Sequence, residues 1–197
     1  MKGDYEGIHD CLAASKVAGR GPISCKYGCL GYGNCVKACK FGAISIRDGV
    51  AFVDREKCTG CMSCAAACPR HIIVSMPYKN EMYVSCASNA RAKISAKVCG
   101  NGCISCKKCE KICPTGAIHI ENNLAVIDYE KCVSCGLCAA TCPRHIIRDV
   151  LDLETLDEFK AKLARGTELH KRELAAEKAK KDAEAAKAAK DAAAPVT

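Results

Sequence analysis

Cys58-x₂-Cys61-x₂-Cys64-x₃-Cys68-Pro69 recurs 74 residues later as Cys132-x₂-Cys135-x₂-Cys138-x₃-Cys142-Pro143, with a third copy, Cys103-x₂-Cys106-x₂-Cys109-x₃-Cys113-Pro114, between them. Four thiols within eleven residues are placed to converge on one inorganic centre, not to staple distant loops. Zinc knuckles use two separated pairs, and disulfide frameworks belong to short secreted chains. The spacing here is the bacterial run that holds a [4Fe–4S] cube. Three thiolates of a run grip one cube, and the fourth, before the proline, reaches a neighbouring one. Each run therefore implies a partner run, and each pair implies two cubes close enough to exchange single electrons.

This swap rule assigns ligands. Cys58, Cys61 and Cys64 take Cys39; Cys132, Cys135 and Cys138 take Cys113; Cys103, Cys106 and Cys109 take Cys142. The remaining run has lost its middle thiol, because Tyr32 stands at the position matching Cys106. Cys25, four residues before Cys29, is the substitute, giving Cys25, Cys29, Cys35 and Cys68. A cube of altered potential is the expectation there, and an empty or three-iron site the alternative. Four [4Fe–4S] clusters are expected in all. Cys11, Cys86 and Cys99 are left over, either as free thiols or as ligands of a further cluster. His71 and His145 follow the cluster prolines and are read as exposed loop residues, with hydrogen bonding to a cluster sulfur as the alternative.

Short, repeated elements must position these thiols. Residues 25–73 and 99–147 superpose at a constant offset of 74 with 25 of 49 positions identical, which is a tandem duplication of an eight-cysteine module. Apolar runs on either side of Asp48-Gly49 and of Asn122-Asn123 predict two hairpins. The small residues between Cys64 and Cys68, and between Cys138 and Cys142, suit a single helical turn that proline stops. The domain organisation read from this is an N-terminal segment with Cys11 (1–24), a first module (25–73), a connector (74–98), a second module (99–147) and a helical, Ala/Lys-rich extension (148–197). In the connector, Glu81–Cys86 reads as a strand and Ala87–Lys97 as a polar loop or short helix. In the extension, Leu151, Leu153, Leu156, Phe159 and Leu163 form a helical stripe. Gly166 reads as its stop and Thr167 as the cap of a second helix. The expected fold class is α+β, and each module resembles the pseudo-twofold bacterial 2[4Fe–4S] ferredoxin.

Charge and composition narrow the function. Residues 1–150 hold 20 Lys and Arg against 12 Asp and Glu, while 151–197 hold ten of each. A cube with four thiolates carries about −2, so four of them offset this excess, and it is not read as a nucleic-acid footprint. There is no tryptophan, and Tyr and Phe number only 6 and 3, so the clusters must supply much of the cohesion. No eighteen-residue apolar run occurs, which predicts no membrane-spanning segment. Met1–Glu6 lacks the apolar stretch of a signal peptide.

Asp10-Cys11-Leu12-Ala13-Ala14, the run from Cys25 to Cys39 with its Gly28-Cys29-Leu30-Gly31-Tyr32-Gly33 core, and Val98–Cys109 together resemble the B subunit of the Rnf electron-transport complex, its ferredoxin-type iron–sulfur component. The resemblance covers about residues 5–147 and implies an iron–sulfur relay in an anaerobe, with the sixteen cysteines assigned above as ligands. It implies soluble ferredoxin as electron donor, and flavin- and cluster-bearing membrane subunits of an ion-translocating ferredoxin:NAD oxidoreductase as partners. The place implied is cytoplasmic, peripheral to the membrane through those subunits, with no catalytic site of its own and no nucleic acid bound. NAD and flavin would belong to other subunits, because no dinucleotide fingerprint is present. The family's members usually begin with a membrane-anchoring helix and further cysteines, and this chain is expected to start after them. The alternatives are a stand-alone polyferredoxin, the wiring subunit of a hydrogenase, formate or keto-acid oxidoreductase, and, from another class, an iron–sulfur redox sensor.

Overall fold

Two hairpins carry the duplication. In the computed structural model, which describes residues 5–17, 21–150 and 156–192, β1 (Ile44–Arg47) pairs antiparallel with β2 (Val50–Val53), Ile44 opposite Val53. The turn residues Asp48 and Gly49 have φ of +48° and +76°. Two successive left-handed residues match the right-handed twist of the strands, which is why Asp-Gly sits there. The second module repeats this with Asn122 and Asn123 at +45° and +66°.

Around the hairpins lie helices of one or two turns: α1 (Cys11–Ser15), α2 (Asn34–Ala38), α3 (Ser63–Ala66), α4 (Ala92–Val98), α5 (Lys108–Ile112) and α6 (Leu137–Thr141). The second hairpin is β4 (Ile118–Glu121) with β5 (Leu124–Ile127). The connector supplies β3 (Met82–Val84), as its sequence predicts, but β3 pairs with β6 (Ile147–Asp149) at the end of the second module. The connector thus forms a small sheet with that module. Met82 is fully buried there, among Ile118, Ile127, Ile146 and Ile147 and the thiols of Cys103, Cys109 and Cys142.

The two modules are not equally covered. Ile46, Val50 and Phe52 on the first hairpin are exposed, whereas their counterparts Ile120, Leu124 and Val126 are half-buried. β3 lies against β5, so the second hairpin has a neighbour. On the first, the Arg47 guanidinium sits 3.6 Å from the Phe52 ring centroid and shields it.

Asn80, 2% exposed, joins the modules. Its amide donates to the carbonyls of Tyr129 (3.3 Å) and Cys132 (3.2 Å). Its backbone carbonyl accepts from Arg55 of the first module at 3.3 Å, while the nearby Tyr78 hydroxyl donates to Glu56 at 2.7 Å.

The extension corrects one expectation. A single helix, α7 (Leu156–Ala192), runs straight through Gly166. Glycine is present there for packing, since a Cβ would lie 2.8 Å from the Cβ of Cys135 and 3.1 Å from its Sγ. Four residues earlier, the Lys162 ammonium bonds Glu81 and, at 2.9 Å, Asp149. These two anchors hold one side of α7 onto the second module. Leu151 and Leu153 of the predicted stripe, and the side chains of Leu156 and Phe159, lie outside the described residues; Leu163 is half-buried.

Candidate metal centres

Cys103, Cys106, Cys109 and Cys142 line one cavity of ≈ 330 Å³. Cys113, Cys132, Cys135 and Cys138 line a second of ≈ 340 Å³. Each brings three thiols of one run together with the pre-proline thiol of the other. Apolar side chains form much of the remaining walls, Ile120, Ala125 and Ile147 in the first, which Lys107, Lys108 and Arg144 also border, and Met82, Ile127 and Leu137 in the second. All 19 cysteines are free of disulfides, and no three Cys, His, Asp or Glu side chains among the described residues close on a single ion. The thiols stand around a space instead of meeting at a point, which is the arrangement a cube requires.

The backbone supplies an independent test of fit. After the first cysteine of each run, the second and fourth residues are left-handed: Gly31 and Gly33, Gly60 and Met62, Ser105 and Lys107, Ser134 and Gly136, with φ from +51° to +80°. The residues between them have negative φ, and such alternation in the sign of φ is the backbone pattern of the concave N–H nests that bind anions and iron–sulfur sites. Met62, Ser105, Lys107 and Ser134 adopt this conformation despite their side chains, at a cost of about 1 kcal/mol or more each. The nest persists in the run where Tyr32 replaces a cysteine. Beyond the fourth cysteine, Gly42, His71, Gly116 and His145 are left-handed too. His71 and His145 are exposed, and each donates its backbone N–H to the carbonyl of the cysteine three residues before (3.1 and 3.2 Å).

Burial is the largest influence on several of the thiols. Burial pushes the metal-free Cys138 thiol up to about 12, and the charges of Cys135, Cys132 and Cys113 add to it. Cys109 rises to about 11, again from burial first, with Cys103 and Cys106 contributing. Without metal such crowded, desolvated groups stay neutral thiols, and they become thiolate ligands only where a bound cation compensates the charge. In the first module the sites are more open. Cys58 and Cys61 are exposed, and Cys61 is held below its ordinary value, chiefly by the Ser63 N–H. Ala43 donates its N–H to Cys39 Sγ (3.4 Å) as Ala117 does to Cys113 Sγ (3.2 Å).

Comparisons with known proteins agree with this chemistry. A 4Fe–4S dicluster domain matches residues 102–146 and a 4Fe–4S binding domain matches 51–74. The B subunit of the Na⁺-translocating ferredoxin:NAD⁺ oxidoreductase complex of Acetobacterium woodii is 44% identical over 131 residues, 66% of this chain and 39% of that protein. The B subunit of the ion-translocating oxidoreductase complex of Methanosarcina acetivorans is 45% identical over 129 residues, 65% of this chain and 48% of that protein. Its counterpart in the proton-translocating ferredoxin:NAD⁺ oxidoreductase complex of Clostridium ljungdahlii is 44% identical over 126 residues, 64% and 44% of the two chains. The chain is a homologue of the Rnf B subunit.

This Rnf homologue carries [4Fe–4S] clusters, and it spans less than half the length of the curated relatives above. Among its described residues no helix is long and apolar enough to cross a membrane. The dicluster match falls on the module that retains all eight run cysteines, and the shorter match omits the half containing Tyr32 and Lys40. Of the leftover thiols, Cys86 packs against the second module's core, with its Sγ accepting from the Ser88 N–H at 3.5 Å. Cys99 heads the turn closed by Gly102, and Arg144 clamps the carbonyls of both residues. Cys25 heads the equivalent turn, closed by Gly28 at 3.1 Å. Cys11 is buried against Leu30 and Tyr32. Sequence reasoning missed the left-handed positions, because only half of them are glycine.

Proposed function

We propose that the chain is an electron relay of an Rnf-type ferredoxin:NAD oxidoreductase, built from two tandem 2[4Fe–4S] modules. It takes electrons from soluble ferredoxin and passes them toward flavin- and cluster-bearing membrane subunits, through which it is held at the cytoplasmic face. The observation that carries this reading is the exchange of cysteines between neighbouring sites. α5 bears Cys109 of one cavity and leads into Cys113 of the other, and α6 bears Cys138 and leads into Cys142. Four residues of helix advance roughly 6 Å, so paired sites share a wall. α2 and α3 repeat this arrangement with Cys35 and Cys39, and Cys64 and Cys68.

The ligand sets follow: Cys113, Cys132, Cys135 and Cys138; Cys103, Cys106, Cys109 and Cys142; Cys39, Cys58, Cys61 and Cys64. A further site includes Cys29, Cys35 and Cys68. A cube bound there would accept and release one electron at a time. The protein's part is to hold the thiolates, to aim N–H donors such as Ala43 and Ala117 at sulfur, and to keep water out with Met82, Ile118, Ile127 and Ile146.

Anaerobic affinity isolation from native membranes and cytosol, with mass spectrometry of co-purifying proteins, tests the role. Flavin-bearing and multi-span membrane subunits are the expected companions. Recovery with a soluble hydrogenase or dehydrogenase, or alone, would sink the Rnf assignment.

A further inference from the structure

The N-terminal segment is tied to the first module beside its incomplete site. Asp10 Oδ1 accepts the N–H of Leu12 (2.9 Å) and Ala13 (3.0 Å), capping α1. Asp10 Oδ2 accepts from Asn34 Nδ2 at 2.8 Å, and Asn34 Oδ1 in turn accepts the Cys11 N–H at 2.8 Å. Asn34 directly precedes Cys35, so this two-pronged bridge brings Cys11 to Cys35 across the sequence. Both are buried, at 8% and 7% exposure, and Leu30 and Tyr32 pack around Cys11.

Internal symmetry says what this placement means. In the second module Cys106 lines the cavity together with Cys103, Cys109 and Cys142. Its counterpart in the first module is Tyr32, and Tyr32 packs against the buried cluster that contains Cys11. Cys25 instead heads the same turn as Cys99. The cavity in the second module is bounded by four thiols without Cys99, which does not line it.

We infer that Cys11, in place of Cys25, supplies the thiolate missing at Tyr32, so that the first site is held by Cys11, Cys29, Cys35 and Cys68. The inference rests on the iron–sulfur reading proposed above. It makes the N-terminal segment part of a metal centre. The run's lost middle ligand is replaced from outside the run, in the notch between Tyr32 and Cys35, and the nest around Gly31 and Gly33 is kept.

The full chain, reconstituted anaerobically, tests this through iron and sulfide content and Mössbauer spectra of Cys11→Ala and Cys25→Ala. Cys11→Ala is expected to lose iron, by about a quarter if the whole cube goes, and Cys25→Ala to keep it. Adding Tyr32→Cys to Cys11→Ala is expected to restore the lost iron, because Cys106 occupies the same position in the second module. In the unsubstituted holoprotein, alkylation followed by peptide mass spectrometry should label Cys25 and spare Cys11. Loss of iron in Cys25→Ala, full iron in Cys11→Ala, or protection of Cys25 with labelling of Cys11 would overturn the assignment. An unsubstituted chain without iron would instead remove the iron–sulfur reading itself.

Discussion

Gly31 and Ser105 occupy the same left-handed position in the two modules, with φ of +77° and +53°. A Cβ on Gly31 would lie 2.4 Å from the Gly49 carbonyl oxygen, whereas Ser105 meets the equivalent Asn123 carbonyl with a hydroxyl donor at 2.7 Å. The same loop-to-turn contact is thus made by close approach in one module and by a hydrogen bond in the other. Gly31→Ala should shorten the half-life of the first module's clusters in denaturant, by roughly tenfold or more if the clash and the φ cost together exceed about 1.4 kcal/mol. Ser105→Ala should have a smaller effect, near the roughly 1 kcal/mol of one exchanged hydrogen bond. Decay of the visible absorption under anaerobic urea would rank the two, and a larger effect for Ser105→Ala would contradict the geometry. Asp10 also acts at this scale. Its carboxyl is held below the ordinary value of 3.8, first by the Ala13 N–H and then by the Asn34 amide. The tether is therefore fully present above pH 3.8 and is lost as pH falls through the depressed value. At neutral pH, Asp10→Ala should expose the segment near Cys11 to limited proteolysis while cleavage elsewhere is unchanged.

α7 depends on two contacts at its packed face. Glycine inside a helix costs about 1 kcal/mol relative to alanine, so Gly166→Ala would stabilise a free helix. Here the new methyl would meet Cys135 at 2.8 Å, and the sign reverses. Gly166→Val should lift α7 from the second module, raising hydrogen exchange across residues 160–170 and changing the EPR signal of the site that includes Cys135. An unchanged exchange profile would contradict the packing. Lys162→Ala removes the cation between Glu81 and Asp149. It leaves two carboxylates close together, with Asp149 only 8% exposed at its side chain. A loss of roughly 1–3 kcal/mol is expected, read as a lower thermal midpoint that Glu81→Gln in the same chain partly recovers.

Among the described residues the buried apolar core numbers only seventeen, and five of these, Cys11, Cys35, Cys103, Cys109 and Cys142, are cysteines beside Ile, Leu, Ala and Met. With so little organic interior, the metal must contribute folding free energy. Anaerobic chelation should therefore remove most of the cooperative thermal transition, not merely the colour. The order of loss should follow coverage. The first hairpin exposes Ile46, Val50 and Phe52, and the first module's Cys58 and Cys61 are open, while β3, β6 and α7 enclose the second module. Iron should leave the first module before the second, as peptide-resolved thiol labelling during slow chelation would show. Simultaneous loss would mean that the Asn80 junction couples the modules into one cooperative unit.

Cysteine spacing, the prolines and the constant offset of 74 residues suffice in the sequence to indicate the metal, the thiol groupings lining the second module's two cavities, and both hairpin turns. These are local features: a four-residue helical turn or an Asp-Gly pair imposes its geometry without distant partners. The pairing of β3 with β6, the passage of α7 through Gly166, and the placement of Cys11 beside Cys35 come from contacts distant in sequence. No periodicity encodes them. Gly166 reads as a stop because a glycine ending a helix and one admitting a neighbouring cysteine look alike until the neighbour is known. Cys25 is four residues from Cys29 and Cys11 is eighteen, so proximity along the chain favours the former. The Asp10–Asn34 bridge nevertheless ties Cys11 to the residue before Cys35, because hydrogen bonds and burial act over ångströms and take no account of sequence separation.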